Sequence, residues 1–226
     1  MVRPESALRR VTRELEKLLQ PYGFHGGEPA WVRPEPGGLA CVGRTRTFRT
    51  WRAGQQVLEF GLTLGATPTA WWEFCNWRNA QRDLPPTPFE QATGPGLLTD
   101  DGLAAELTGL WSVRLDQEQG GQHVLQADID AIRAELPRRV HAYARRALRL
   151  LEPGRYLDEL LAAPEPRPGA WEEAIAILLA DHGPSPHLDE AFDRLRRCFA
   201  DPDAAAYAEQ VIGYARDRAG LVGAAG

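Results

Sequence analysis

The residues best suited to bind a ligand lie between positions 44 and 52, where arginines alternate with threonines and aromatic rings. The arginines are Arg44, Arg46, Arg49 and Arg52, and the rings belong to Phe48 and Trp51. Guanidinium groups bind carboxylates and phosphates, while exposed rings stack on bases or pack against another protein. The stretch therefore predicts a surface for an acidic protein or, alternatively, for a nucleotide or nucleic acid. On an edge strand, arginines could instead serve to prevent pairing with other chains.

A second group of candidate binding residues lies in the long connection from 66 to 109. Its members are Trp71, Trp72, Trp77 and Arg78. Connections of this length are usually functional or carry short helices, so we expect helical pieces near 72–81 and 101–107. Tryptophan and arginine often supply the binding energy of protein interfaces. We therefore place these four residues, together with Arg44, Arg46, Arg49 and Trp51, in one predicted protein-binding surface.

Two other places are candidates for an enzyme centre, and neither matches a known catalytic pattern. Cys75 would need a nearby base and a lowered pKa to act as a nucleophile. Its aromatic neighbours instead indicate a packed thiol. His182 and His187 flank a turn where ligands could meet a metal, although His182 followed by Gly183 also fits the end of a helix. We predict no catalytic residue, metal or cofactor, and keep an enzyme centred on Cys75 or His182/His187 as an alternative.

The composition indicates a globular cytoplasmic protein. The 226 residues carry 26 basic and 31 acidic side chains, a net charge of −5, and three widely spaced cysteines. No apolar run reaches the ~18 residues of a membrane span, and the first residues lack the apolar core of a signal peptide. We therefore expect a reducing compartment and no membrane association.

Arginine is used almost to the exclusion of lysine, since Lys17 is the only lysine. This pattern is typical of coding bias in a GC-rich bacterial genome. Most arginines, including Arg138 and Arg139, are therefore expected on solvent faces of helices. The 13 basic and 19 acidic residues of 116–226 give that part a net charge of −6, which argues against a dedicated nucleic-acid binder.

The periodicity of apolar residues predicts an α+β fold. A helix over 5–20 precedes strands at 30–33, 39–51, 57–65 and 110–115. Short links between them indicate one antiparallel sheet of four to six strands, packed by the first helix and by a long helix after Asp128. Pro137 should break or kink that long helix. We predict an α+β domain at 1–162, a Pro-rich linker at 163–169 and a helical region at 170–226.

Short segments of residues 5–162 resemble the bacterial domain-of-unknown-function 4304 family. The resemblance rests on Leu19-Gln20-Pro21-Tyr22-Gly23-Phe24, on Trp31-Val32-Arg33, on Phe60 to Gly65, on Phe74 to Arg78 and on the strand containing Trp111. It implies a small α+β domain with no assigned activity, and it does not cover the C-terminal helices. By analogy, similar compact bacterial domains are immunity proteins that block a toxin. We therefore expect a non-catalytic cytoplasmic protein-binding domain, in its most specific form an immunity-type inhibitor of a bacterial toxin, whose oligomeric state stays open.

Overall fold

Helices and strands alternate irregularly along the chain in the computed structural model, which describes residues 2–116, 123–163 and 169–225. The helices are α1 (Pro4–Leu19), α2 (Thr69–Ala80), α3 (Ala105–Thr108), α4 (Gln126–Arg149), α5 (Arg155–Ala162), α6 (Ala170–Ala180), α7 (Pro186–Cys198) and α8 (Pro202–Ala225). The strands are β1 (His25–Gly27), β2 (Ala30–Glu35), β3 (Gly38–Arg44), β4 (Phe48–Arg52), β5 (Gln55–Phe60), β6 (Leu62–Pro68) and β7 (Trp111–Arg114). The α+β class is confirmed.

The strands form two sheets. One has the order β1-β2-β3-β6, and the other has the order β4-β5-β7. In the second sheet, β5 is the central strand and pairs antiparallel with both neighbours. The first helix packs against α4 and contacts β1, and α4 also packs against β7, which confirms the predicted packing of both helices on the strands. Among the described residues, no helix is both long and apolar enough to cross a membrane.

The strands predicted at 39–51 and 57–65 each divide in two, because the chain changes sheet in the middle of both. The two breaks are joined by reciprocal hydrogen bonds: the Thr45 amide donates to the Gly61 carbonyl at 3.0 Å, and the Gly61 amide donates to Thr45 Oγ1 at 2.7 Å. A Cβ atom at position 61 would lie 3.0 Å from Leu110 Cδ2, so glycine permits the close approach. Thus β4 and β5 leave the first sheet as one hairpin.

The chain divides into two compact units. Unit 1 comprises Met1–Glu35, Ala40–Gly65 and Thr99–Arg149, and unit 2 comprises Pro36–Leu39, Ala66–Leu98 and Leu150–Gly226. In unit 2, α6 is almost entirely buried because α2, α5, α7 and α8 all pack against it. The boundaries predicted from the sequence stay a prediction, and residues 164–168 of the predicted linker lie outside the described residues.

The long helix continues through Pro137, so the predicted break is wrong, while the alternative of a kink stays a prediction. A proline inside a helix removes one backbone hydrogen bond. However, the buried stripe continues on both sides of it, with Ile132 and Leu136 before the proline and Val140 and Tyr143 after it. Burial of this stripe in unit 1 keeps the helix in one piece.

Arg139 is buried, with 9% of its surface exposed, and its predicted place on a solvent face is wrong. Its guanidinium lies 4.5 Å from the centre of the Trp111 ring on β7 and 2.8 Å from Glu135. It also donates a hydrogen bond to the Gly109 carbonyl, while Trp111 Nε1 donates to Glu135 at 3.1 Å. These contacts fix β7 on α4. Position 139 follows Leu136 by three residues, which puts it on the buried stripe.

We expect Arg139→Ala to lower the free energy of unfolding by about 2–3 kcal/mol, because it leaves a carbonyl and a ring without their partner. The neighbouring Arg138 is exposed and pairs with Glu106 at the surface. Arg138→Ala should therefore change stability by no more than about 0.5 kcal/mol. Urea denaturation of both variants measures the difference. Equal losses would contradict a special role for Arg139.

Candidate functional site

The β4–β5 hairpin projects its first strand into solvent. The register runs from Phe48 opposite Glu59 to Arg52 opposite Gln55, so only two residues form the turn. Those residues, Ala53 and Gly54, have φ values of 48° and 76°. Two consecutive positive φ angles are typical of a type I′ turn, whose twist matches that of the strands it joins. The hairpin is thus a regular one, and its strand β4 is exposed on both faces.

The outer edge of β4 has no partner strand among the described residues. On the other side of β5, the Leu115 amide donates to the Gln56 carbonyl at 3.0 Å, so the backbone of Gln56 points toward β7. Backbone groups of successive strand residues point to opposite edges. The amides and carbonyls of Gln55, Val57 and Glu59 therefore point toward β4, where they pair with those of Arg52, Thr50 and Phe48. It follows that the amides and carbonyls of Arg49 and Trp51 point outward, to the open edge.

Exposed aromatic and basic side chains accompany this open edge. Trp51 is 67% exposed and Phe48 is 45% exposed. Arg46 and Arg49 are also exposed, and neither guanidinium forms an ion pair or a side-chain hydrogen bond within the part of the chain that the structure describes. We name these four residues, with the outward backbone of β4, the β4 edge. Arg49 and Trp51 share one face of the strand, because residues two apart in a strand point to the same side.

The other two arginines of the 44–52 stretch serve internal contacts. Arg44 ends β3, where its Nε lies 2.9 Å from Glu28 Oε1 and its guanidinium lies 5.7 Å from the centre of the Phe60 ring. Arg52 pairs with the buried carboxylate of Glu59, which also accepts a hydrogen bond from Ser112 at 2.9 Å. The predicted surface is therefore not one continuous strand. Of its arginines, Arg46 and Arg49 are the two that form no ion pair with any residue that the structure describes.

The four predicted binding residues of α2 belong to unit 2 and contact that unit. Trp71 is buried, Trp72 Nε1 donates to the Thr87 carbonyl at 2.8 Å, and the Trp77 ring centre lies 4.8 Å from that of Tyr214. The Arg44 to Trp51 stretch belongs to unit 1. A role in binding for Trp71, Trp72, Trp77 and Arg78 stays a prediction.

A polar cluster surrounds Cys75. Its sulfur lies 3.7 Å from Arg78 Nη2, and Arg78 Nη1 lies 3.8 Å from the buried carboxylate of Glu173, which accepts a hydrogen bond from Tyr207. Burial raises the pKa of the Cys75 thiol, and the charge of Arg78 opposes that increase without overcoming it. Burial and the bond to Glu173 raise the pKa of Tyr207 to about 12, so the phenol keeps its proton. A raised thiol pKa disfavours nucleophilic catalysis.

The sequence did not reveal this cluster, because its members come from α2, α6 and α8. Glu173 lies in the first turn of α6, where a carboxylate interacts favourably with the helix dipole. That interaction accounts for its presence in the sequence without any cluster. The signal that could have found it is the position of Glu173 on the otherwise apolar surface of α6.

The histidine turn contains two exposed histidines at the ends of neighbouring helices. His182 is exposed beside Gly183, whose φ of 88° fits the predicted end of the helix. His187 is exposed and lies 3.8 Å from Glu190, and Asp181 accepts a hydrogen bond from Arg218 Nε at 3.0 Å. In the described ranges, no three His, Cys, Asp or Glu residues are placed to hold a metal ion. An enzyme at this turn stays an untested alternative.

Comparisons with known proteins give no related site, so the site is interpreted from its own residues. No family model, no curated protein and no solved structure matches the chain. The resemblance of residues 5–162 to the domain-of-unknown-function 4304 family therefore stays a prediction. The open strand edge combines exposed rings with two arginines that are unpaired among the described residues, so its groups can bond an extended chain and carboxylates.

The turn of the hairpin provides a test of its geometry. Ala53→Asn should stabilise the hairpin by about 0.5 kcal/mol, because asparagine adopts positive φ more readily than alanine. Gly54→Ala should destabilise it by about 1 kcal/mol, although a Cβ there meets no atom within 4 Å. Gly213→Ala, at an equally open position inside α8, should stabilise the protein instead. Hydrogen exchange of the β4 amides and thermal unfolding measure these changes, and the same sign for both glycine variants would contradict the turn.

Glu173 should give the protein a specific pH dependence. Burial raises the pKa of its carboxyl group, although Tyr207 and two arginines act in the opposite direction. The unfolded chain therefore releases this proton at a lower pH than the folded chain does. The contribution to stability is complete below the unfolded pKa of ~4.3 and is lost as the pH rises through the folded value.

Urea denaturation across this pH range compares wild type with Glu173→Gln. We expect the variant to gain stability relative to wild type as the pH rises. Glu190→Gln, which changes a carboxylate at an exposed position, is the matched control. A Glu173→Gln curve parallel to that of wild type would contradict the prediction.

Proposed function

We propose that this protein is a non-catalytic binding protein whose β4 edge takes up an extended acidic segment of a partner protein. The observation that carries the proposal is the outer strand β4, where outward backbone groups coincide with exposed Trp51 and Phe48 and with two arginines that have no ion-pair partner among the described residues. A row of unpaired amides and carbonyls is a template for another strand.

Different groups of the β4 edge supply affinity and selectivity for a partner. An added strand forms main-chain hydrogen bonds with Arg49 and Trp51. These bonds form with almost any amino-acid sequence in the added strand. The rings of Trp51 and Phe48 supply apolar area that a partner can cover. Arg46 and Arg49 favour carboxylates on the added strand, because no carboxylate of the described residues occupies them. The expected partner is therefore acidic, and its binding weakens as salt screens these charges.

An immunity-type inhibitor is the most specific form of this proposal. Such a protein acts by occupying a surface of a toxin and needs no catalytic group of its own. The β4 edge meets that requirement, since recognition there depends on shape, backbone pairing and charge. The product of a neighbouring toxin gene would be the first partner to examine.

Affinity capture from the native cell tests the proposal. Immobilised wild-type protein should retain a stoichiometric acidic partner at low salt and release it in about 0.5 M salt. Trp51→Ala and Arg49→Glu should each reduce capture at least tenfold, which corresponds to about 1.4 kcal/mol. Arg138→Ala, which removes an exposed arginine on α4, should leave capture unchanged.

Three results would contradict the proposal. One is capture that survives both β4 substitutions, and another is the recovery of no stoichiometric protein. The third is retention that disappears after nuclease treatment, which would favour the nucleic-acid alternative for residues 44–52. Purified partner and wild-type protein then give a dissociation constant by calorimetry, with the same variants as controls.

A further inference from the structure

The five residues of β4 read as aromatic, arginine, threonine, aromatic, arginine, from Phe48 to Arg52. We propose that the β4 edge also pairs with the β4 edge of a second copy of this chain, antiparallel and centred on Thr50. This inference rests on the proposed function in one respect, since the same edge binds the partner protein. It adds a means of regulation, because a dimer formed in this way covers the binding site.

The backbone allows this pairing in only some registers. The outward amides and carbonyls belong to Arg49 and Trp51, and hydrogen bonds form only where outward residues of the two copies meet. A two-fold axis at Thr50 places Arg49 opposite Trp51 of the second copy, and Trp51 opposite its Arg49. Each of these two pairs exchanges two hydrogen bonds, so four main-chain bonds join the copies.

The side chains select this register among those that the backbone permits. With the axis at Thr50, Phe48 faces Arg52 of the second copy and Arg49 faces its Trp51, so that every ring meets a guanidinium. Such pairs attract through the negative face of the ring. An axis at Arg49 would place two arginines opposite each other, where like charges repel. An axis at Trp51 would set Thr50 opposite Arg52 and leave Arg49 without a ring.

Charge gives this dimer a salt dependence opposite to that of the partner complex. Arg52 is already paired with Glu59 in its own chain, whereas Arg49 has no carboxylate among the described residues. The two copies of Arg49 lie diagonally across the new strand pair and repel each other. Salt screens that repulsion, so the dimer tightens as salt increases, while the complex with an acidic segment weakens.

Sedimentation of the full chain without any partner measures the dimer. Wild type should convert from monomer to dimer as its concentration rises, more readily at 0.5 M than at 0.05 M salt. Trp51→Arg should raise the dissociation constant at least tenfold, because it sets arginine opposite arginine. The exchanged variant, Arg49→Trp with Trp51→Arg, restores a ring opposite each guanidinium and should recover the dimer.

A cysteine at the axis reports the register directly. Directly opposed residues in a non-hydrogen-bonded pair have Cα atoms ~4.5 Å apart, a distance that a disulfide spans. In a Cys198→Ser background, which removes an exposed thiol, Thr50→Cys should cross-link two copies under oxidised glutathione. Phe48→Cys, which faces Arg52 of the second copy instead of itself, should not cross-link.

The outcomes separate the dimer from the proposed function. A wild-type chain that stays monomeric at all concentrations, a dimer unaffected by Trp51→Arg, or an exchanged variant that stays monomeric while folded by circular dichroism would each overturn the dimer. Capture of an acidic partner by the same monomeric chain would leave the proposed function intact. Cross-linking of Phe48→Cys as readily as Thr50→Cys would overturn the register.

Discussion

The contact of Arg139 with the Trp111 ring and Glu135 is the interaction on which the exposed hairpin depends. It fixes β7 on the long helix, and the ion pair of Arg114 with Asp128, with Nε 3.0 Å from Oδ2, adds a second link between the same elements. Strand β5 then pairs with β7 along one edge and must carry β4 on the other. Because α4 holds β7 at one edge of this sheet, β4 at the other edge can leave its backbone open without loss of the sheet.

Elements that are defined by a local pattern of residues could be predicted from the sequence. The helices and the antiparallel pairing follow from periodicity and are confirmed. The change of sheet at Gly61 was not predictable, because the alternation of apolar residues from Leu58 to Leu64 continues through it. Only a hydrogen-bonded contact between two residues distant in sequence reveals the break. The open edge of β4 could not be predicted either, because β7 pairs with β5 and not with β4, and the sequence does not show which strand β7 joins.

Arginine serves three separate purposes in one chain that has almost no lysine. Arg139 is buried against a ring, Arg52 neutralises a buried carboxylate, and Arg49 is exposed and unpaired by the described residues. A planar guanidinium can stack and bond at once, which lysine cannot do at the first of these sites. Composition therefore shows only how many arginines the chain has, while their surroundings determine what each one does.

The reciprocal hydrogen bonds between Thr45 and Gly61 have a consequence for how this protein changes over evolutionary time. They hold together the two places where the hairpin departs, so the chain between them is anchored independently of its tip. Within it, Val57 to Phe60 are buried and constrained by packing, whereas the side chains of Arg46, Phe48, Arg49 and Trp51 are exposed. Substitutions at these four positions can therefore accumulate with little loss of stability. A lineage could change the chemistry of the β4 edge through them while Arg52, Gly54 and the buried residues stay under selection for folding.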